Sequence, residues 1–264
     1  MPEKRNNWSR EETILAFELY CTIPSSKVTD KNPQIIELAN AIGRGANSIK
    51  LKLQNFKSYD PSYTQDGRIG LSHGSHLDEK IVTEFLQNWD SLVLEADEIK
   101  RKYNFETDSQ SVNSFKDETN TSLLESVGYD KISSRKIRIG QNFFRKTLMS
   151  AYNGKCCITG LAIPDLLIAS HIKPWSKSND INEKTNPQNG LLLNALHDAA
   201  FDRGYITIDP DEHKIIISDR LSDYTDEFTE VSLKKYSGKE LTLPNKLKPD
   251  KKFIKYHNDV IFLK

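Results

Sequence analysis

The chain has 264 residues, 37 basic against 37 acidic, with 37% apolar residues, which allows one large domain or two modest ones with polar chain between them. With a mean hydropathy of −0.60 and no apolar run approaching the ~18 residues of a bilayer crossing, a membrane span is excluded. The first residues carry no apolar stretch of the secretory kind, and three cysteines are too few for a disulfide framework or a four-cysteine zinc site, so a soluble cytoplasmic protein is expected.

The neutral total hides segregated charge. Between Glu37 and Asp60 there is no acid, while Arg44, Lys50, Lys52 and Lys57 fall there. Between Asp130 and Asp165 the same holds, with Lys131, Arg135, Lys136, Arg138, Arg145, Lys146 and Lys155. Residues 234–255 are also rich in lysine. Local positive surface of this kind suits an anionic polymer as partner.

In chain order, Ser9 and Glu12 form a capping box that opens a helix over residues 9–20. Ile35, Leu38, Ala39 and Ile42 recur at helical spacing, Gly43-Arg44-Gly45 breaks the pattern, and Ile49, Leu53 and Phe56 begin a third helix. Ile81, Phe85, Trp89, Leu92, Ala96 and Ile99 sustain the period of one further helix. Residues 1–104 are therefore expected to form a small all-helical domain. Residues 105–130, polar and acidic, read as a linker whose composition cannot offset its ordering entropy. From 131 to 264 helix and strand alternate: a helix over 139–152, strands over 166–172 and 191–194, and a hairpin from 205–208 and 215–217.

The chemistry concentrates between Cys156 and Gly204, in Ala169-Ser170-His171-Ile172-Lys173-Pro174-Trp175, in Asn186-Pro187-Gln188-Asn189-Gly190 and in Leu196-His197-Asp198-Ala199-Ala200-Phe201-Asp202-Arg203-Gly204. A strand with a histidine, a polar loop, a second strand and a helix opened by another histidine can supply one general base and one divalent-metal site, the pair that phosphodiester hydrolysis requires. These blocks resemble the HNH endonucleases, whose core is a ββα-metal finger. Arg138-Ile139-Gly140-Gln141, Phe144-Arg145 and Cys156-Cys157-Ile158-Thr159-Gly160 are similar to the lead-in of a bacterial branch that serves in restriction and phage defence. The resemblance implies an α+β chain: a helical N-terminal domain followed by a ββα-metal nuclease domain with an added hairpin. It places His171 as general base, Asn189 as the asparagine that orients the metal-site loop or contributes to ligation, and His197 as a metal ligand on the helix. It implies Mg²⁺, Mn²⁺ or another divalent ion, and products with 5′-phosphate and 3′-hydroxyl ends.

Two departures from the family pattern matter. Ser170 stands where many members carry an acidic or histidine ligand, so Asp198 or Asp202 is expected to complete the site. No second cysteine pair exists, so structural zinc is not expected and Cys156-Cys157 reads as packing. His73, His76, His213 and His257 are given no catalytic task.

The N-terminal helices have the proportions of a helix-turn-helix, and with Trp8-Ser9-Arg10-Glu11-Glu12 they look like a Myb-like or homeodomain-like domain. Asn47, Lys50, Gln54 and Lys57 line one face of the third helix, where amides can read base edges and lysines can neutralise phosphates. Arg44, Arg138, Arg145 and Lys173 are further candidate DNA contacts. The expected function is a metal-dependent DNA endonuclease, with a homodimer as the route to duplex cleavage. The competing reading is a DNA-binding protein with a degenerate nuclease fold, in which Ser170 marks the lost site.

Overall fold

A computed structural model describes residues 7–64, 74–103, 105, 131–179 and 182–264, with residues 131–134 described as backbone only. The polar segment 106–130 and His73 lie outside the described residues. Two compact units emerge, Met1–Phe143 and Phe144–Lys264.

In the first unit, α1 (Arg10–Thr22) opens with the expected capping box: Glu12 N donates to Ser9 Oγ at 3.1 Å and Ser9 N to Glu12 Oε2 at 2.7 Å. Ile14, Leu15, Phe17 and Tyr20 are all buried, because α1 is packed from several sides by α2 (Pro33–Ala41), α3 (Ala46–Phe56), α5 (His76–Leu86) and α6 (Trp89–Lys102). A one-turn helix, α4 (Pro61–Thr64), follows α3. The turn between α2 and α3 needs a left-handed residue, supplied by Gly43 at φ +67°, and Arg44 N then closes on the Ala39 carbonyl at 2.8 Å. The long helix expected over residues 81–99 is two helices. Asn88 leaves helical geometry at φ −152° and its side chain caps α6 by accepting from Ser91 N at 3.0 Å. An asparagine bonds neighbouring backbone more readily than it sustains a helix, while the apolar period passes through the break undisturbed.

Helix α7 (Lys131–Ala151) is longer than the expected 139–152 and contains the boundary between the units. Its Phe143 ring packs 6.1 Å from Trp89 in the first unit, whereas Phe144 and Leu148 belong to the core of the second. The second unit is built on two antiparallel pairs: β1 (Leu167–His171) with β2 (Gly190–Asn194), and β3 (Ile206–Ile208) with β4 (Ile215–Ile217). Helix α8 (Ala195–Asp202) follows β2 directly and packs on β1 and β2, completing a ββα unit. Helices α9 (Glu227–Ser232) and α10 (Lys251–Val260) complete the fold. Buried His257 of α10 donates from Nε2 to the Phe201 carbonyl at 3.0 Å and stacks on the Phe201 ring at 3.8 Å, which ties down the end of α8. Cys156 and Cys157 lie in the core of this unit. The chain is thus α+β, a helical N-terminal region followed by a C-terminal region of small sheets and helix.

Candidate active site

His171 closes β1 and faces Gly190 across the ribbon. A Cβ at Gly190 would stand 2.6 Å from Leu148 Cδ1 and 2.6 Å from Phe144 Cζ, so α7 lies directly on this face of the ribbon and only glycine fits beneath it. The same Phe144 ring stacks on the His171 imidazole, with centroids 4.0 Å apart and planes within 5°, and Trp175 meets the imidazole edge-on at 5.5 Å. Nε2 of His171 lies 2.9 Å from the Lys184 carbonyl. A carbonyl only accepts, so Nε2 carries the proton and Nδ1 holds the lone pair. Burial among the rings pulls the imidazole down to about 4, and the Lys184 carbonyl opposes this in part. At neutral pH the ring is therefore uncharged, with its lone pair on Nδ1.

Lys184 is held in place through Asn189, whose side chain is fully buried. Its Oδ1 accepts from Lys173 N at 2.8 Å, and its Nδ2 reaches the Lys173 carbonyl at 3.1 Å, the Glu183 carbonyl at 3.1 Å and Ser178 Oγ at 3.3 Å. One amide thereby staples both ends of the loop that supplies the Lys184 carbonyl. Asn189 touches the loop rather than presenting itself as a ligand.

Helix α8 is opened by Asn194, whose Oδ1 accepts from both His197 N and His197 Nδ1, each at 3.0 Å. With Nδ1 protonated, the lone pair of His197 lies on Nε2, which is buried and has no hydrogen-bond partner among the described atoms. Burial and then the nearby Lys235 charge lower this imidazole to about 4, against the Ser232 carbonyl. An imidazole oriented through one nitrogen with the other left open is the usual arrangement of a metal-ligating histidine.

Asp198 and Asp202, one turn apart on α8, both have raised carboxyl pKa values. Desolvation leads in each; for Asp202 the Asp198 charge adds to it and brings the carboxyl to about 6, while Arg203 opposes both shifts. The Ser170 hydroxyl favours the ionised form of Asp198 without completing a hydrogen bond. Ser170 therefore faces α8, while its neighbour His171 faces Phe144 of α7. Consecutive strand residues point to opposite faces, which separates His171 from Ser170.

Among the described residues, no group of three or more His, Cys, Asp or Glu side chains is gathered closely enough to hold a metal ion. The donors still fit a small divalent cation in chemistry. Two desolvated carboxylates are only partly offset by Arg203, a buried unpartnered hydroxyl stands beside Asp198, and His197 Nε2 is buried without a hydrogen-bond partner.

The candidate DNA contacts divide. Asn47 is exposed and Lys50, Gln54 and Lys57 are half-exposed along α3 and its end. Arg44 is instead committed to the fold: it pairs with Glu12 at 2.8 Å, donates to the Asn7 carbonyl and lies 4.4 Å from the Trp8 ring, opposing its reading as a phosphate contact. Arg145 is likewise occupied, donating to the Leu167 carbonyl at 2.7 Å and the Pro164 carbonyl at 3.1 Å at the entry to β1. Lys173 pairs with Glu183 at 2.6 Å, so its charge is compensated. Arg138 lies half-buried on α7. The roles of Phe144, Gly190, Lys184 and Tyr236 were not visible in the sequence. The same holds for Asn194, expected only as the end of a strand, which also caps α8.

The family model for HNH endonucleases matches residues 156–209, which contain β1, β2 and α8 together with His171, Asn189, His197, Asp198 and Asp202. The C-terminal unit thus carries an HNH endonuclease domain, of a family that acts on nucleic-acid phosphodiesters and generally uses a divalent metal. No curated protein matches the chain. No described helix is long and apolar enough to cross a membrane.

Proposed function

We propose that the chain is a metal-dependent endonuclease that hydrolyses phosphodiester bonds of DNA in restriction or phage defence. The observation that carries the catalytic part is His171: a neutral imidazole, fixed through Nε2 on the Lys184 carbonyl, with its Nδ1 lone pair directed elsewhere. Nδ1 takes a proton from water, the oxygen attacks phosphorus, and the bond to the 3′ oxygen breaks as that oxygen takes a proton from solvent, leaving 5′-phosphate and 3′-hydroxyl ends. Asp198, Asp202 and His197, with Ser170 beside them, would hold Mg²⁺ or a similar divalent ion, which supplies positive charge for the phosphate and the leaving oxygen. The defence role rests on the resemblance of the lead-in blocks.

Helices α1 to α3 are read as the DNA-delivering module, with Asn47, Lys50, Gln54 and Lys57 turned toward the duplex. Replacing Lys50 and Lys57 together by alanine is expected to weaken DNA binding and to flatten its salt dependence by roughly 0.9 per lost phosphate contact. An unchanged slope would remove α3 from the interface. A single site cuts one strand per encounter, so one-step duplex cleavage calls for a homodimer, and gel filtration of an active monomer making such breaks would exclude it.

The test of the whole reading is incubation of purified protein with supercoiled plasmid and Mg²⁺ or Mn²⁺, against EDTA and against His171→Ala. Metal-dependent relaxed or linear product, absent in the variant, is the expected result. One observation favours the non-catalytic alternative, the lack of a gathered three-ligand group among the described residues. Intact plasmid with every metal, on modified and unmodified DNA, would transfer the reading to that alternative.

A further inference from the structure

The lysine-rich turn 234–239 lies beyond the segment matched by the HNH family, yet it packs on the proposed site. Tyr236 meets the His197 ring edge-on at 5.2 Å. Over the same tyrosine ring stand Lys235 Nζ at 4.9 Å and Lys239 Nζ at 5.4 Å. Both lysines are exposed, and neither has a carboxylate at ion-pair distance among the described residues. Their neighbour Lys234 differs, being neutralised by Glu230 at 2.8 Å.

The turn is also held rigidly. Gly238 adopts the left-handed φ of +71° and donates its N–H to the Ile215 carbonyl at 2.8 Å. Ile215 N in turn donates to the Lys239 carbonyl at 2.9 Å, and Lys239 N closes on the Tyr236 carbonyl at 3.0 Å. Two uncompensated ammonium groups are thus parked on one aromatic ring, on a turn sewn to β4, against a buried histidine of the site. A solvated lysine run has no reason to be organised this way. Two such charges held on one ring suit neighbouring phosphates of a strand, and the ring limits the side-chain freedom that binding would otherwise have to freeze.

We propose that Lys235 and Lys239, carried on Tyr236, form a backbone-positioning clamp that grips DNA phosphates adjacent to the one being cut. The inference rests on the nuclease reading for the identity of the cut phosphate, but its binding part stands separately. The test uses the full-length chain in two backgrounds. In a His171→Ala background, the affinity for a fluorescein-labelled duplex is followed by anisotropy across a salt series, for the parent and for Lys235→Ala/Lys239→Ala. The double variant is expected to bind about tenfold more weakly and to lose about 1.8 from the slope of log affinity against log salt, two phosphate contacts' worth. Lys235→Arg/Lys239→Arg is expected to restore the slope, which a merely structural role would not predict. In the active background the alanine pair should raise KM for DNA more than it lowers kcat.

An unchanged salt slope, or failure of the arginine pair to restore it while thermal unfolding stays as in the parent, would overturn the clamp. Cleavage with an unchanged slope would defeat this inference alone. A lost slope in a protein that never cleaves would defeat the nuclease reading and leave a phosphate clamp in a DNA-binding protein.

Discussion

Asp202 occupies a place that disfavours its charge. Its carboxyl is raised to about 6 by burial and by the neighbouring Asp198, with only Arg203 in opposition. A group whose folded pKa exceeds its unfolded one stabilises the fold below the unfolded value and loses that contribution as pH rises through the folded value. Above pH 6 the ionised Asp202 is therefore a local burden on the metal-free protein, softened by the solvent its exposed side reaches. A divalent cation binding here would relieve it. Millimolar Mg²⁺ at pH 7.5 is expected to raise the unfolding temperature by a few degrees through linkage. Asp202→Asn should raise the metal-free unfolding temperature slightly at pH 7.5, do nothing at pH 4, and remove most of the Mg²⁺ response. Thermal unfolding with Mg²⁺ against EDTA checks this, and a full response in the variant would take Asp202 out of the proposed metal site. The identities of the acids and histidines on β1 and α8 were legible in the sequence, because they lie in ordered blocks. How each acts was not: Asn189 works through carbonyls of Lys173 and Glu183, and backbone partners leave no mark on local pattern.

The elements show the same division between local and tertiary signals. The cap at Ser9 could be read because the capping box lies within four residues, whereas the caps that Asn32 and Asn194 also provide emerge only in the structure. The split between α5 and α6 could not be read from periodicity, since Ile81, Phe85, Trp89 and Leu92 bury on one side whether or not Asn88 interrupts the helix. The packing of α7 on the β1–β2 ribbon was hidden altogether, although the imidazole stack depends on it. Gly190 is where that packing can be probed. Gly190→Ala puts a methyl group 2.6 Å from Leu148 Cδ1 and from Phe144 Cζ, so the helix or its rings must move. Overpacking of this kind costs about 1–3 kcal/mol. Because the displaced Phe144 is the ring on which His171 stacks, cleavage should fall further than the loss of folded protein accounts for. Adding Phe144→Leu should recover part of the stability, a non-additive pair of the kind contact predicts. Chemical denaturation beside single-turnover cleavage separates the two effects, and simple additivity would show that the methyl group is absorbed elsewhere.

At the scale of the whole molecule, titratable imidazoles are distributed unevenly between the two units. In Phe144–Lys264, His171, His197 and His257 are each lowered to about 4, by burial first, and all are uncharged in the native state at neutral pH. In Met1–Phe143, His76 is on the surface, and the buried ionic pair there, Lys52–Asp78 at 2.5 Å, contains no imidazole. A depressed folded pKa contributes stability above the unfolded value, near 6.5, and loses it as pH falls toward the folded value. Between those limits the unfolded C-terminal unit binds up to one more proton per histidine, each worth about 1.4 kcal/mol per pH unit where fully expressed. Acidification from pH 7 to pH 5 should therefore weaken the C-terminal unit well before the helical one. Hydrogen exchange, corrected for the intrinsic pH dependence of amide exchange, reads this directly. Protection over residues 167–208 should fall while that over residues 10–22 and 89–102 is retained. Replacing His257, which holds the end of α8 through the Phe201 carbonyl, with Gln keeps a donor there and removes one titrating group, so it should flatten the acid loss without abolishing it. Equal loss of protection in both units at pH 5 would mean that these buried imidazoles do not set the acid limit, and that carboxylates spread over the whole chain do.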